Sequence, residues 1–339
     1  MIEKIPFIIA EMSGNHNQSL ERALAIVDAA ADAGVDAVKI QTYTADTMTI
    51  DIDTGEFFIS DKDSLWKGET LYHLYEKAHT PWEWHKAIFE RCKERGIMGF
   101  STPFDDTSVD FLEDIGVPCY KIASFENVDL PLIRKVARTG KPIIASTGMT
   151  TVAELSDLVQ TVRKNGCTDL TLLKCTSSYP ASPEGTNLRT IPHMRELFGC
   201  AVGLSDHTLG IGAAVASVAL GAVVIEKHFT LSRAEGGVDA AFSLEPAEMA
   251  QLVRECRTAA LALGAVSYER TEQEQKSLQF RRSLYVVEDM KAGDVFTEKN
   301  LRRIRPGMGL SPKYYDIILG KKANCNITRG TAVQWDLIE

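Results

Sequence analysis

The sequence predicts an α/β protein, a (β/α)8 barrel followed by a small β-rich domain. Eight short runs rich in β-branched residues alternate with amphipathic stretches over residues 7–264. Polar residues that can bind or catalyse collect where these runs end, as they do at the mouth of a barrel enzyme. A turn-rich segment of different composition then follows a polar linker.

The predicted strands are residues 7–12, 37–42, 97–102, 119–124, 142–147, 170–176, 201–206 and 223–230. Helical patterns lie between them, for example at residues 20–34, 81–96, 108–116, 130–140 and 151–166, with a last one at 245–264. Several of these patterns end in Gly, which is typical of a helix C-terminus. Eight such units favour a closed barrel over an open doubly wound sheet. No G-x-G-x-x-G follows the first strand, which weakens a dinucleotide-binding alternative.

The domain boundaries follow from composition. We expect the barrel at residues 1–265, a linker at 266–280 and the β-rich domain at 281–339, whose strand-like pieces are separated by Gly-containing turns. Within the barrel, residues 43–80 form a connection much longer than a βα loop needs. Long loops in compact domains are usually functional, so this insertion is expected to fold over the barrel mouth.

Composition indicates a soluble cytoplasmic protein. Apolar residues make up 45% and charged residues 24% of the chain, and the longest apolar stretch is too short to span a membrane. The N-terminus has neither the long apolar core nor the cleavage site of a signal peptide. Seven cysteines without C-x-x-C spacing favour reduced thiols over a disulfide framework or structural zinc.

Charge is distributed unevenly. Residues 281–339 carry 11 Lys and Arg against 7 Asp and Glu, so the rest of a chain of net charge −9 is at −13. A basic domain can bind nucleic acid, but this one has no stripe of aromatic and basic residues. Docking onto an acidic neighbour or an anionic substrate is the preferred interpretation.

Lysines in apolar strands predict an anion site. Lys39, Lys121 and Lys174 lie near strand ends, and a buried ammonium is costly unless an anion pairs with it. Hydroxyl residues accompany them at the same ends: Ser101, Thr102, Ser124 and Ser146. Ammonium and hydroxyl donors suit a phosphate or a phosphate-carboxylate substrate.

His207 and His228 end the last two predicted strands. They are either a hydrogen-bonded buried pair or two ligands of a divalent transition metal, because neighbouring strands lie about 4.8 Å apart. Glu11, at the end of the first strand, is either a base that handles a substrate proton or a carboxylate paired with a lysine. His79 and His85 are expected to be structural. Cys175 is not predicted to be a nucleophile, since no base partner is apparent.

These residues lie in ordered motifs, and with them the chain resembles the bacterial nonulosonic (sialic) acid synthases along essentially its whole length. The matching motifs are FIIAEMSGNHN, GVDAVKIQTYTADTMT, FSTPFD, YKIASFE, PIIASTGM, LLKCTSSYP, VGLSDHT, VIEKHFTL and RRSLYVVEDMKAGDVFTEKNLRRIRPG. The resemblance implies a TIM barrel with a C-terminal antifreeze-like (SAF) domain. It also implies a domain-swapped homodimer in which each small domain caps the partner's active site.

The resemblance further implies a reaction. Phosphoenolpyruvate (PEP) condenses with an open-chain acetamido-deoxy sugar, water adds at C2 of PEP, and phosphate leaves. A divalent metal, Mn²⁺ with Mg²⁺ or Co²⁺ as alternatives, is implied on His207 and His228, and Glu11 is implied in proton transfer or in positioning the water. The PEP residues carried over by motif are Lys39, Thr102, Lys121, Ser124, Ser146, Ser177 and Ser205. The sugar contacts carried over are Gln41, Glu126, Tyr179, Asp239 and, from the partner chain, Arg305.

Within the family, the chain resembles the pseudaminic acid branch more than the N-acetylneuraminate branch. EMSGNHN at residues 11–17, Ser177 and the sequence of the insertion carry this distinction. The implied acceptor is then 2,4-diacetamido-2,4,6-trideoxy-L-altrose. N-acetylneuraminate or legionaminic acid synthesis remains the alternative within the family. A carbohydrate-binding protein without catalysis is the alternative from another class, and it predicts loss of the lysines and histidines that are present here.

Overall fold

The computed structural model describes residues 5–62 and 64–339, which divide into two compact units, Met1–Gly264 and Ala265–Glu339. The first unit is a closed barrel of eight parallel strands in sequential order. The strands are β1 Phe7–Glu11, β2 Ala37–Thr42, β3 Met98–Pro103, β4 Tyr120–Ile122, β5 Ile143–Ser146, β6 Leu170–Cys175, β7 Ala201–Asp206 and β8 Val224–His228. The predicted (β/α)8 fold and all eight predicted strands are confirmed.

Helices follow the strands. They are α1 Leu20–Asp32, α2 Ala45–Met48, α3 Leu71–Ala78, α4 His85–Glu94, α5 Asp106–Ile115, α6 Leu130–Arg138, α7 Val152–Lys164, α8 Thr190–Phe198, α9 Gly212–Ala219 and α10 Pro246–Leu263. All except α2 and α3 of the insertion pack around the barrel. Local sequence explains several ends. Thr151 and Glu154 form a capping box at the start of α7, and Gly116 ends α5 in the left-handed conformation. In the described residues, no helix is both long and apolar enough to cross a bilayer.

The barrel core has two layers. The larger lies between the outer strand faces and the helices, where residues such as Ile8, Ile40 and Leu172 are fully buried. The smaller fills the inside of the barrel with Ile9, Ala37, Phe100, Cys119, Leu173 and Val224. This inner apolar layer fills the barrel below the C-terminal strand ends, where the polar residues begin.

The insertion between β2 and α4 contains α2, α3 and a bridge between Phe58 and Thr70. Trp66 Nε1 donates to the carbonyl oxygen of Val238, in the loop after β8, at 3.0 Å. The insertion therefore lies across the C-terminal end of the barrel, as its length predicts.

The second unit begins with α11 Glu272–Ser277 and contains the antiparallel pair β9 Ser283–Val286 and β10 Leu301–Ile304, followed by α12 Tyr315–Ile318. It has its own core, in which Leu284, Val286, Phe296, Leu301 and Val333 are buried. All seven cysteines of the chain are free thiols.

Candidate active site

A cavity of about 360 Å³ opens at the C-terminal ends of the strands. Its floor is built by strand alternation, which places residues i and i+2 on one face. Apolar residues such as Ile9 and Phe100 fill the inner core. Two positions later along each strand, the same face bears a polar side chain, as at Glu11 and Thr102. The inward polar residues that we call the floor are Glu11, Lys39, Gln41, Thr102, Lys121, Ser146, Ser205, Glu226 and His228, together with His207 just beyond β7.

The centre of the floor is a buried network of two lysines and two carboxylates. Lys39 Nζ lies 2.6 Å from Glu11 Oε2 and 3.7 Å from Glu226 Oε2. Lys121 Nζ lies 3.4 Å from Glu226 Oε1, which also accepts a hydrogen bond from Ser205 Oγ at 2.9 Å. The network brings together groups from five strands, as the prediction of one convergent anion site requires.

Burial and charge act in opposite directions on these groups. Burial disfavours the charged form of Glu226, but Lys121 and Lys39 outweigh it and hold the pKa of the carboxyl well below its usual range. Burial and the negative charge of Glu226 raise the pKa of Glu11, against the attraction of Lys39. Burial lowers the pKa of Lys121. An anion entering the floor would compensate the buried ammonium groups.

Hydroxyl groups contact the lysines. Lys121 Nζ donates to Ser146 Oγ at 2.7 Å, and Lys39 Nζ donates to Thr102 Oγ1 at 3.3 Å. Gly148 has no room for a side chain, since a Cβ there would lie 2.1 Å from Ser177 Oγ and 2.7 Å from Ser124 Oγ. A glycine at this position leaves room for two serine hydroxyls after β5.

The two imidazoles face each other across the end of the barrel, with ring centroids 5.3 Å apart. His207 Nδ1 donates to the carbonyl oxygen of Thr176 at 2.9 Å, which leaves Nε2 free to bind a ligand. His228 Nδ1 lies 3.7 Å from Asp239 Oδ2. Burial, and then the neighbouring groups His207, Lys39 and Lys121, hold the pKa of His228 well below its usual value.

This arrangement fits a divalent metal held by two histidines. His228 Nδ1 is a buried polar atom without a hydrogen-bond partner among the described residues. The same part of the chain contains no group of three or more His, Cys, Asp or Glu side chains placed to hold a metal. The protein therefore offers two imidazoles, and water and substrate oxygens would complete the coordination.

Four polar residues are expected to contact a sugar, and one of them, Gln41, belongs to the floor. Gln41 Nε2 donates to Glu11 Oε1 at 2.9 Å, and Asp239 accepts a hydrogen bond from Ser13. Burial raises the pKa of Glu126 to about 7 and that of Asp239 above its usual range. Tyr179 packs against His207, with ring centroids 4.5 Å apart. Gln41, Glu126, Tyr179 and Asp239 all line the cavity.

The outer part of the cavity is apolar. We call it the rim, the side chains that the insertion contributes to the cavity wall: Tyr43, Met48, Ile59, Trp66, Leu71, Leu74, Tyr75 and Ala78. Trp66 is fixed by its bond to Val238 and packs against Tyr179 at 6.1 Å between ring centroids. The length of the insertion predicted that it covers the mouth, but no pattern in its sequence indicated which side chains point inward.

Not every sequence expectation holds. Lys174 was grouped with the lysines of the anion site, but it lies on the outer face of β6 in a separate pocket with Arg189 and His193. Its neighbour Cys175 faces the cavity instead, because alternation sends successive residues to opposite faces. Cys175 Sγ lies 3.9 Å from His207 Nδ1, but this nitrogen donates to the carbonyl oxygen of Thr176, so it is not a base partner for the thiol.

Ser101 was grouped with the hydroxyl residues of the anion site, but it lies on the outer face of β3, with its Oγ 2.6 Å from Thr42 Oγ1. Two other sequence expectations concern residues away from the floor. His85 is structural as expected, with its Nε2 2.8 Å from Thr42 Oγ1 in the outer core. Arg305 belongs to the second unit, so its proposed contact with the sugar stays a prediction.

Two polar residues that line the cavity are absent from the site predicted by sequence. Glu226 is not among the predicted site residues, although it contacts both floor lysines. Its position two residues before His228 was the available signal. Ser13 lies in the first loop, next to Asp239 and Gln41, where a single serine carries no distinguishing pattern.

Comparison with known proteins places this geometry in a family. The sequence model of the NeuB family matches residues 26–268, and that of the SAF domain matches residues 281–339. The chain is 46% identical over 332 residues to the pseudaminic acid synthase of Campylobacter jejuni, covering 98% of this chain and 96% of that protein.

A second relative and a solved structure are similar to the chain at lower identity. The chain is 37% identical to the N,N'-diacetyllegionaminic acid synthase of the same organism, over 95% of this chain and 97% of that protein. The crystal structure of the N-acetylneuraminic acid (sialic acid) synthetase of Leptospira borgpetersenii superposes with a TM-score of 0.72 at 33% identity. The superposition covers 82% of this chain and 92% of the Leptospira chain.

Proposed function

The chain belongs to the NeuB family of enzymes, and from this premise we propose that it is a pseudaminic acid synthase. In this proposal it is a transferase that condenses PEP with 2,4-diacetamido-2,4,6-trideoxy-L-altrose to give pseudaminic acid and phosphate. The observation that carries the proposal is the cavity itself, in which buried lysines, two facing imidazoles and an apolar rim meet.

The choice of acceptor rests on sequence similarity and on the rim. Identity is 46% to a pseudaminic acid synthase and 37% to a legionaminic acid synthase, over nearly the whole chain in both cases. A 6-deoxy sugar ends in a methyl group, and apolar side chains such as Met48 and Leu74 favour burial of a methyl over a hydroxymethyl.

PEP is assigned to the floor. Lys39 and Lys121 supply the positive charge for its phosphate and carboxylate, and Thr102, Ser146 and Ser205 already lie within hydrogen-bond range of this network. Ser124 and Ser177 add hydroxyl donors beside Gly148. Because Glu226 holds both lysines in place, binding of PEP requires little rearrangement of charge.

The condensation joins C3 of PEP to the aldehyde carbon of the sugar. Mn²⁺ on His207 and His228 would supply Lewis-acid polarisation of the aldehyde when bound. Glu11 lies against Lys39 and Gln41 at the floor, and its raised pKa suits a group that positions the water added at C2 or carries its proton. Gln41, Glu126, Tyr179 and Asp239 orient the sugar through its hydroxyl and acetamido groups.

The second unit is assigned to the partner's active site. The acidic charge of the barrel portion and the basic charge of residues 281–339 support a domain-swapped homodimer in which Arg305 contacts the sugar. In a mixture of Arg305→Ala chains and His228→Ala chains, swapping predicts that heterodimers recover activity in one of their two sites. Absence of recovery in a mixture that exchanges subunits would contradict the swapped arrangement. We place the enzyme in the cytoplasm, where PEP is available.

The decisive experiment is an acceptor assay. Purified protein is incubated with PEP, Mn²⁺ and one of three sugars, and phosphate release is followed. The sugars are the L-altrose acceptor, the acceptor of legionaminic acid synthesis and N-acetylmannosamine. Turnover is expected with the first sugar, and chelation of the metal is expected to stop it. Turnover with N-acetylmannosamine alone would replace the proposal with N-acetylneuraminate synthesis.

A further inference from the structure

A fully buried ion pair lies on the outer faces of β7 and β8, behind the two cavity histidines. Lys227 Nζ is 2.6 Å from Asp206 Oδ2, and neither side chain is exposed. The two residues stand directly opposite each other in the strand register. Strand alternation puts Lys227 on the face opposite to Glu226 and His228, so the pair does not line the cavity.

Stability alone does not account for such a pair. Removing two charges from water costs several kcal/mol per ion, and apolar replacements of buried ion pairs are often neutral or stabilising. What the pair supplies is attachment, because buried charged groups are costly without partners and therefore stay at hydrogen-bond distance from the backbone groups that they bind.

The contacts of the pair converge on the backbone around His207. Lys227 Nζ also donates to the carbonyl oxygen of Thr208, and Asp206 Oδ1 accepts from the Thr208 backbone N–H at 2.9 Å. The residues before and after His207 are therefore both attached to Lys227, which immediately precedes His228. The ion pair therefore connects the backbone on both sides of His207 to the residue that precedes His228.

The register explains why this tie is needed. His228 is the last residue of β8 and stands opposite Glu11 of β1, so the sheet itself holds it. His207 follows β7, and the pairing of β7 with β8 ends at Asp206 opposite Lys227. On its other side His207 is held by Ala181 N–H at its carbonyl and by Thr176 at its ring. Lys227 and Asp206 supply the attachment toward β8.

We propose that Lys227 and Asp206 are positioning residues that fix the separation of the His207 and His228 imidazoles and thereby set the affinity of the site for a divalent metal. The inference rests on the metal role in the proposed function. Groups that orient metal ligands typically change metal affinity by about tenfold to a hundredfold when removed. The pair acts through the ligands and touches neither substrate.

The test compares two double variants of the full-length protein. In Asp206→Asn/Lys227→Met the charges are removed together, so no single buried charge is left, while Asn keeps the acceptor for Thr208 N–H. The control is Asp36→Asn/Arg257→Met, which removes an ion pair of 3.0 Å from the same barrel, next to the start of β2 and away from the histidines. Mn²⁺ dissociation constants are measured by direct titration, and kinetics with varied Mn²⁺ and varied PEP are recorded beside them.

The test variant is expected to bind Mn²⁺ about ten to a hundred times more weakly. Its KM for Mn²⁺ rises in parallel, and kcat at saturating Mn²⁺ and KM for PEP change little. The control variant is expected to lose thermal stability with no change in Mn²⁺ affinity. A folded test variant with unchanged Mn²⁺ affinity overturns the proposal. If the double variant does not fold, Asp206→Asn/Lys227→Gln, which also leaves no buried charge, is judged by the same criterion, and failure of both to fold overturns the positioning role in favour of a folding role.

The outcomes separate this inference from the proposed function. Wild-type protein that binds Mn²⁺ but turns over none of the sugars contradicts the synthase assignment, and the Mn²⁺ titration of the variants still decides the role of the pair. Wild-type protein that does not bind Mn²⁺ overturns the inference directly.

Discussion

The floor and the rim of the cavity are built in different ways. Floor residues come from strand ends, are almost completely buried and contact one another at hydrogen-bond distance, as Lys39 and Glu11 do. Rim residues come from an insertion in one connection, are mainly apolar, and are fixed by few polar contacts, such as the bond between Trp66 and Val238.

This difference separates the tasks of the cavity. A network of buried charges cannot lose one member without leaving another uncompensated, so changes in the floor are expected to affect the chemical step and PEP binding. An apolar wall recognises a partner by shape and burial, and single changes there are worth about 1–3 kcal/mol. Variants of the two regions should therefore differ in the kinetic constant that they alter as well as in size.

The largest effect is expected from the two metal-ligand candidates. His207→Ala and His228→Ala should each reduce kcat by about a thousandfold or more, because the aldehyde loses its polarising group. The rate of phosphate release at saturating Mn²⁺ and both substrates measures this. His85→Ala, in the outer core, is the control and should lower stability more than turnover. Metal-dependent turnover that survives in both cavity variants would refute the assignment.

A smaller loss is expected when a floor lysine is removed. Lys121→Met leaves Glu226 with one ammonium neighbour in place of two and removes a donor to Ser146. Truncating one partner of a buried charged pair costs 2–5 kcal/mol, so kcat/KM for PEP should fall by about a hundredfold. Lys174→Met is the matched control, since Lys174 lies on the outer face of β6, and it should leave kcat/KM unchanged. Equal losses in the two variants would place the anion site elsewhere.

The boundary between floor and rim offers a test based on pH. Burial raises the pKa of Glu126 to about 7, from 4.5 in the unfolded chain. Between these values the native state holds a proton that the unfolded state has released, so the free energy of unfolding falls as pH rises through this window. Above pH 7 the ionised, buried carboxylate lowers the free energy of unfolding by about 2 kcal/mol, a value reduced to allow for water in the cavity. Glu126→Gln removes this contribution.

Urea denaturation at several pH values between 4.5 and 8 measures this contribution. The stability of Glu126→Gln relative to wild type should increase with pH and level off above pH 7. Glu56→Gln, on the exposed part of the insertion, is the control and should show no such trend. A difference that is constant with pH would mean that folding does not raise the pKa of Glu126.

The difference between floor and rim also explains which residues of the cavity could be predicted from the sequence. All eight strands and nearly every floor residue were predictable, because alternation fixes a simple relation: an inner apolar residue such as Ile9 or Cys119 is followed two positions later by a functional one, Glu11 or Lys121. Lys174 was misassigned by ignoring that rule, since it lies one position from the inward residues Leu173 and Cys175.

The rim side chains and the ion pair of Asp206 with Lys227 were not predictable in this way. Rim side chains depend on how residues 43–80 pack against loops distant in sequence, such as the contact of Trp66 with Val238. The pairing of Asp206 with Lys227 depends on the register of two strands and on what buries them. Neither feature has a local pattern, because both arise only from tertiary packing.

The smallest expected effect belongs to the rim and sharpens the comparison most directly. Trp66→Phe keeps an aromatic surface beside Tyr179 but removes the hydrogen bond to Val238, worth about 1 kcal/mol. KM for the sugar should rise by about fivefold, while KM for PEP and kcat at saturation stay near wild type. Tyr72→Phe removes a hydrogen bond to Asp46 within the same insertion and away from the cavity wall, so it controls for general loosening of the insertion. If Trp66→Phe instead lowered kcat with both KM values unchanged, the rim would take part in the chemical step, and the division of labour between rim and floor would be wrong.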